Sequence, residues 1–510
     1  MIPRTLRKVL KRSCIAAAGA ALLQFFASTH AQEIERLTTA ADPARVAAFV
    51  TALEHNLPYV PGEMLVRYRS GTRVARQLSA LTAVERDVSA VNTRWLGETA
   101  LITGLPPDDP EHQAAILRLQ PEIEYAHPNY IQHLHAIPND PLFTRQWNMT
   151  EINMPQAWDI NVSAGRGVIV AVLDSGLTSL NETVGLRFPL PPLGLPLETF
   201  SIPFRTNPDL DFSHVLSGAE FTPTGPWSLA SGQRALFDAE GHGTHVAGTI
   251  NEWTNNNFGF TGIASGATLL PIKVCVSDTD VIMAWGRDLR IPAPAGGCDV
   301  AGVIQGIRYA VDNGARVVNL SLGGPQPAPA YVDALRYAVS KGAFVAISVG
   351  NDALNGNATT YPATYAESIS GVVAVGATTP RRTRALYSNF GSYVELVAPG
   401  GEGGGVGVDR HCGADSEVIW QIGPNAADLY TLPPRFDRYV EMPDCGTSMA
   451  SPHVAGAAAL LYSQGVTDPA AIEAALERFA VDLGTAGRDP EFGYGLLDVR
   501  AALRGLGVVR

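Results

Sequence analysis

The sequence predicts an α/β protein: a doubly wound, mostly parallel sheet with helices on both faces, preceded by a small α+β unit. Three observations predict it. First, Val168-Ile169-Val170-Ala171-Val172-Leu173, Val317-Val318-Asn319-Leu320-Ser321-Leu322 and Phe344-Val345-Ala346-Ile347-Ser348-Val349 are apolar runs rich in β-branched residues. Such runs suit strands buried on both faces of a parallel sheet, where no face needs alternating polar residues. Second, Val300 to Asp312 reads as a helix ahead of the last two runs, and alternating strands and helices build parallel crossovers. Third, the residues from about 33 to 135 read differently, with short alternating strand signals flanking helical ones.

The chain opens with Arg4, Arg7, Lys8, Lys11 and Arg12, then an apolar run from Ile15 to Ala27 interrupted by Gln24. Thr29-His30-Ala31 offers a small residue for cleavage. This is the pattern of a Sec-type signal peptide over residues 1–31, with a mature end near Gln32. The run is too short to span a bilayer comfortably, and no later stretch supplies about 20 apolar residues, so no stable membrane anchor is expected. Cys14 precedes most of the apolar run, which does not suit a lipoprotein anchor. Only Lys8, Lys11, Lys273 and Lys341 are lysines, and Ala, Gly and Pro abound. That bias points to a GC-rich, bacterial origin.

Residues 32–137 form the next block. Pro61-Gly62 punctuates, and Glu63-Met64-Leu65-Val66-Arg67-Tyr68 alternates like a half-buried strand. A helical run follows from Thr72 to Val91, with Val74, Leu78, Leu81 and Val88 at helix-like spacing. Ile123-Glu124-Tyr125-Ala126 is a second strand signal. Ala136-Ile137-Pro138-Asn139-Asp140-Pro141 reads as a linker, since two prolines and an Asn-Asp pair favour open chain. The α/β pattern then occupies 138–510, with three long interruptions: Thr178 to Thr206, Ser277 to Gly297 and Gly400 to Asp444.

The 510 residues are 46% hydrophobic and 17% charged, the balance of a folded rather than a disordered chain. A net charge of -12 argues against general nucleic-acid binding, which needs basic surface to meet phosphates. Beyond Cys14, four cysteines remain: Cys275, Cys298, Cys412 and Cys445. An even count in an exported chain suggests two disulfides, with three possible connectivities. Pairing sequence neighbours is the simplest, and free buried thiols are the alternative. No Cys-x-x-Cys spacing supports zinc.

Three short segments carry chemistry. The first apolar strand ends in Asp174-Ser175-Gly176; an Asp there commonly just caps a turn. His242-Gly243-Thr244-His245-Val246-Ala247-Gly248 places a glycine-flanked His before an apolar helix. Two His three apart could hold a metal, but the Glu of zinc hydrolases is missing between them. Gly446-Thr447-Ser448-Met449-Ala450-Ser451-Pro452-His453 would start a long apolar helix at Ser448. Taken alone that Ser is a helix cap; its position also offers free N–H groups to a developing negative charge. Together the residues do more. A Ser hydroxyl needs a base, and a His base needs an acid to fix its tautomer. The chain order Asp, His, Ser is that of subtilisin.

With these three motifs, the sequence resembles the subtilase family of serine proteases over most of 140–510. The resemblance implies the subtilisin-like fold and a secreted serine endopeptidase. It implies Asp174 as orienting acid, His242 as general base and Ser448 as nucleophile. Asn351, in Ser348-Val349-Gly350-Asn351-Asp352, would form an oxyanion hole with the Ser448 backbone N–H. Losing such a side-chain donor costs about 10²–10³ in turnover, a magnitude that comes from subtilisin itself. Ser321, Leu322 and Gly323 resemble the edge that pairs with extended peptide substrate. Thr360 and Asp352 fall where the family lines its first specificity pocket; Asp352 would favour a basic or polar side chain there, or be an ordinary loop residue. Structural Ca²⁺ is implied, with Asn257, Asp209 and Gln146 as oxygen ligands. The segment before residue 138 resembles the family's prodomain, an intramolecular inhibitor and folding template, through Pro61-Gly62-Glu63-Met64-Leu65-Val66-Arg67 and Pro121-Glu122-Ile123-Glu124-Tyr125. The other reading is an inactive binding or adhesion protein on this scaffold. The presence of all four catalytic-type residues argues against it.

Overall fold

The computed structural model describes residues 42–54, 57–85, 91–107, 109–131, 137–188, 198–223, 227–228, 234–280, 296–402, 412, 414–429, 431 and 433–505. The chain divides into two compact units, Met1–His133 and Leu134–Arg510.

In the first unit, helix α1 (Pro43–Glu54), strand β1 (Tyr59–Tyr68), helix α2 (Val74–Leu81), strands β2 (Asn92–Leu96) and β3 (Thr99–Thr103), helix α3 (Pro110–Arg118) and strand β4 (Ile123–Tyr130) follow one another. The strands pair antiparallel in the order β2-β3-β1-β4. Met64, Val66, Ala100 and Ile102 on one sheet face pack with Leu81 and Leu117 from the helices. The alternation is real from Met64 to Tyr68, while Glu63 is buried as well, and the strand itself extends back to Tyr59. Helix α2 is shorter than the spacing predicts, because Val74 and Leu78 stay exposed and only Ala80 and Leu81 are buried. The expected helical residues at 86–90 lie outside the described residues. Buried Glu63 accepts from Arg45 Nε at 2.5 Å and Asn129 Nδ2 at 2.7 Å, tying α1 to the sheet.

The second unit is built on strands β5 (Ile169–Asp174), β8 (Ala219–Glu220), β11 (Thr268–Lys273), β14 (Val317–Leu320), β15 (Phe344–Ser348), β16 (Val372–Thr378) and β17 (Leu396–Pro399). The missing numbers are small antiparallel pairs: β6 (Thr183–Phe188) with β7 (Glu198–Pro203), β9 (Trp227–Ser228) with β10 (Arg234–Ala235), and β12 (Cys275–Val276) with β13 (Gly297–Cys298). A further pair joins β18 (Ile419–Pro424) to β19 (Tyr439–Asp444). The seven-stranded sheet runs β17-β16-β15-β14-β5-β11-β8 with every neighbour parallel.

Both sheet faces are covered, as the unbroken apolar runs require. Val170, Val172, Val317 and Phe344 face helices α4 (His242–Asn251) and α7 (Thr447–Ser463). Ala171, Leu173, Val318 and Val345 face helices α5 (Val300–Asp312) and α6 (Ala330–Ser340). Helix α7 is buried almost throughout. Its composition follows: Ala, Gly, Val and Leu on all sides, with no amphipathic stripe.

Both disulfides fall at the interruptions. Cys275–Cys298 closes the β12–β13 pair, and Cys412–Cys445 ties residue 412 to the residue before Gly446. Sequence neighbours therefore do pair. The stretch expected as the third insertion contains a core element: β18 is buried at every position and packs along α4. Its run Ile419-Trp420-Gln421-Ile422 was legible as a strand, but the long polar flanks hid it.

Candidate active site

The topology brings the polar motifs to one edge. Asp174 is the last residue of β5, Ser321 follows β14, and Gly350-Asn351 lie just past β15. All are carboxyl ends of parallel strands, where open α/β sheets place ligands. There they line a cleft of about 800 Å³ together with His242, Thr360 and Ser448.

His242 opens helix α4 after Gly241, whose φ of 98° needs a residue without a Cβ. Gly243 is required for a second reason: a Cβ there would lie 2.4 Å from the Gly176 carbonyl oxygen. The two glycines let the α4 start press against the Asp174-Ser175-Gly176 turn. The result is a 2.7 Å hydrogen bond between His242 Nδ1 and Asp174 Oδ1. Ser175 N–H donates to the same Asp174 oxygen at 2.7 Å. Asp174 is buried, and its Oδ2 has no protein partner among the described residues.

Ser448 is the second residue of α7, with its backbone among the helix's first N–H groups. Its Oγ donates to the Ser321 carbonyl at 3.3 Å, and Ser321 Oγ donates to the Ser448 carbonyl at 2.7 Å. Asn351 accepts through Oδ1 from Thr447 N at 2.9 Å and Thr447 Oγ1 at 3.0 Å. This clamp spends the amide oxygen and leaves the Nδ2 donors for the cleft. Leu322 and Gly323 line the cleft as expected, and Gly324 pairs antiparallel with Tyr361. Asp352 and Thr360 also line it, joined by Glu240 and Asp278, which sequence reading did not single out.

Electrostatics separate His242 from the other histidines of its two motifs. Burial lowers the His242 pKa, but the Asp174 charge and hydrogen bond, with Glu240 and Asp444 beyond, push it up to about 10. His245 and His453 are different. His245 Nε2 meets the Ile419 carbonyl, and His453 sits between Asn148 Nδ2 and the Met449 carbonyl. Burial pushes both down, His453 to about 4, so both are neutral packing groups.

Of the expected cation ligands, Gln146 and Asp209 both bond to the loop that carries Asn257. Gln146 spends both amide atoms on the Thr261 backbone, at 2.9 and 3.0 Å, and Asn257 is exposed. The residue found with Asp209 is Asp140, which sequence reading placed in a linker. Asp140 accepts from Asn255 N and Asn256 N, and Asp209 accepts from Asn256 Nδ2 and Phe260 N. Burial, with Asp140 nearby, pushes Asp209 up to about 7. Glu252 beside them is fully buried and has one carboxylate oxygen unpartnered. Asp140 and Asp209, buried and receiving only neutral donors, suit an oxygen-ligated divalent cation.

The family model for the subtilase family matches residues 165–495. The chain is 30% identical over 409 residues to a thermophilic serine proteinase from Bacillus sp. (strain AK1), covering 80% of this chain and 79% of that one. It is 29% identical over 453 residues to an extracellular protease of Xanthomonas campestris pv. campestris, covering 82% of this chain and 68% of that one. A solved protease from Pseudoalteromonas arctica PAMC 21717 superposes with a TM-score of 0.52 at 27% identity, covering 72% of this chain and 99% of that one. The fold, the cleft and these matches define a subtilisin-like serine protease. The chain belongs to the subtilase family and is a serine endopeptidase.

The raised His242 pKa has a measurable consequence. A base held above its usual pKa stays protonated until the pH passes that value. Imidazole NMR of the mature protein is expected to show one His titrating well above the others. Glu240→Gln should move that titration down, and Asp174→Asn should move it down much further, since burial is then opposed only by Glu240 and Asp444. A resonance that titrates near 6.5 in the parent protein would contradict the assignment.

Proposed function

We propose that the chain is made as a secreted precursor and that its mature form cleaves peptide bonds through an acyl-enzyme on Ser448. The observation that carries this is the 2.7 Å Asp174–His242 bond in the cleft that also holds Ser448. In its neutral form, reached by losing its Nε2 proton, His242 accepts the Ser448 proton at Nε2 as the hydroxyl oxygen attacks the substrate carbonyl. Asp174 holds Nδ1 protonated and stabilises the imidazolium. In the free protein Ser448 Oγ bonds to the Ser321 carbonyl instead; hydrogen bonds of this kind often tighten only with substrate present. Charge developing on the carbonyl oxygen meets Asn351 Nδ2 and Ser448 N–H at the α7 N-terminus. His242 then protonates the leaving amine, and water repeats the sequence in reverse to release the acid.

Extended substrate backbone pairs with Ser321, Leu322 and Gly323, which gains main-chain hydrogen bonds whatever the side chains. The first unit, within 32–137, acts as the intramolecular inhibitor and is released by self-cleavage. Export by the 1–31 signal peptide agrees with the name of the Xanthomonas relative, an extracellular protease. Among the described residues no helix is long and apolar enough to cross a membrane.

Ser448→Ala is expected to leave an unprocessed precursor without peptidase activity. Maturation of that variant in cis would overturn the assignment of Ser448. A phosphonate directed at serine nucleophiles should label the parent protein and not the variant.

The cation reading rests on Asp140 and Asp209. Ca²⁺ there would supply positive charge between carboxylates that otherwise repel, and would fix the 253–261 loop to the start of this unit. Adding millimolar Ca²⁺ is expected to raise Tm by several degrees and a chelator to reverse it, while Asp209→Asn should show neither effect. Equal Ca²⁺ dependence in that variant would exclude the site.

The described cleft lining also bears on substrate charge. It carries Glu240, Asp278 and Asp352 and no Lys or Arg. Peptides with Lys or Arg near the scissile bond should therefore be preferred over acidic ones. Asp352→Asn should lower kcat/KM for such peptides by about 10-fold and leave a Leu-containing peptide unaffected. Equal losses on both substrates would sink the charge argument.

A further inference from the structure

Lys273 is the last residue of β11 and the register partner of Asp174 on β5. Its side chain is completely buried. A buried ammonium is costly unless it is paired and all its protons are accepted. Here all three are: Nζ donates to the Ser175 carbonyl at 2.5 Å, to Asp280 Oδ2 at 2.9 Å and to the Phe237 carbonyl at 3.3 Å. Asp280 is equally buried, and its Oδ2 also accepts from Ser277 N–H and Oγ. An aliphatic residue would pack in this position more cheaply, so the charge needs another explanation.

The three acceptors supply one. Ser175 N–H donates to the Asp174 oxygen that also faces His242. Ser175 Oγ accepts from Gly243 N–H at 2.8 Å and donates to Asp238 Oδ1 at 2.9 Å. Phe237 precedes Asp238, whose fully buried carboxylate accepts from Gly241 N and Thr244 N, each at 2.8 Å. Lys273 thus sits where the turn carrying the acid meets the loop that leads into the base. It grips one carbonyl on each side.

We propose that the buried Lys273–Asp280 pair positions the Asp174–His242 couple, with Asp280 supplied by the segment that begins at the Cys275–Cys298 disulfide. This rests on the catalytic reading of Asp174 and His242. Lys273 and Asp280 touch no substrate; they act through Ser175 and the 237–241 loop. The pair makes the β12 side of the cleft a support for catalysis and not only a wall for substrate.

The test compares Lys273→Met, Asp280→Asn and the double variant Lys273→Met/Asp280→Leu, all as mature protein. Removing one partner strands a buried charge, so each single variant should lose thermal stability. Removing both should restore Tm to within a few degrees of the parent. A positioning role requires that kcat on a neutral peptide stay low in the double variant, by about 10²-fold, with KM unchanged. It also requires that the low-field Nδ1–H resonance of His242 broaden or vanish. Return of both Tm and kcat in the double variant would reduce the pair to a structural ion pair and overturn the proposal. Should the double variant not fold, Asp280→Asn assayed well below its own Tm decides. A fall in kcat at constant KM, with loss of the resonance, supports positioning, and an unchanged kcat refutes it. Phosphonate labelling of the parent at Ser448 separates these outcomes from failure of the protease reading itself.

Discussion

A parallel sheet buried on both faces leaves few places for polar chemistry. Every position of β14, β15 and β16 is buried, so a charge within these strands would lose its hydration on both sides. Polar side chains are therefore displaced to the strand ends. Parallel strands put all their carboxyl ends on one edge, and the turns leaving β5, β14 and β15 bring Asp174, Ser321 and Asn351 there. The site is a consequence of how the sheet is covered.

Helix α7 makes the arrangement rigid. It lies across the sheet as an apolar cylinder, and its first turn ends at the same edge. Ser448 is thus placed by the burial of Met449, Ala450, Val454 and Leu461. Ser451 Oγ donates to Asn319 on β14, and the paired bonds between Ser448 and Ser321 add two more links to that strand. Helix α4 is fixed in the same manner by β18, through Gln421 to Thr249 and Glu252 to Ile422. The helices carrying His242 and Ser448 are therefore both located by packing that extends well beyond the cleft.

Buried charge runs through the rest of the molecule and always has a task. Asp174 and Asp238 receive N–H groups at the α4 start, Lys273 and Asp280 neutralise each other, and Asp140 and Asp209 organise the 255–261 loop. In each case the charge joins segments far apart in sequence. Apolar packing could fill the same volume, but it could not specify which backbone groups meet.

Much of this was legible in the chain. Short unbroken apolar runs rich in β-branched residues, alternating with helical patterns, point to a doubly buried parallel sheet. The three motifs name the chemistry because glycines flank each polar residue where backbone must come close. The four cysteines that follow Cys14 suggested two disulfides, and two form. Tertiary structure decided what depends on segments distant in sequence. Asp140 looked like a linker residue until the chain brought it to Asp209. Glu240 and Asp278 carry no motif, and only the cleft shows that they face it. Lys273 was visible as one of four lysines, inside an apolar strand. Its partners Ser175, Phe237 and Asp280 lie in separate turns, and their meeting at one nitrogen is set by strand register and burial, which no local pattern encodes.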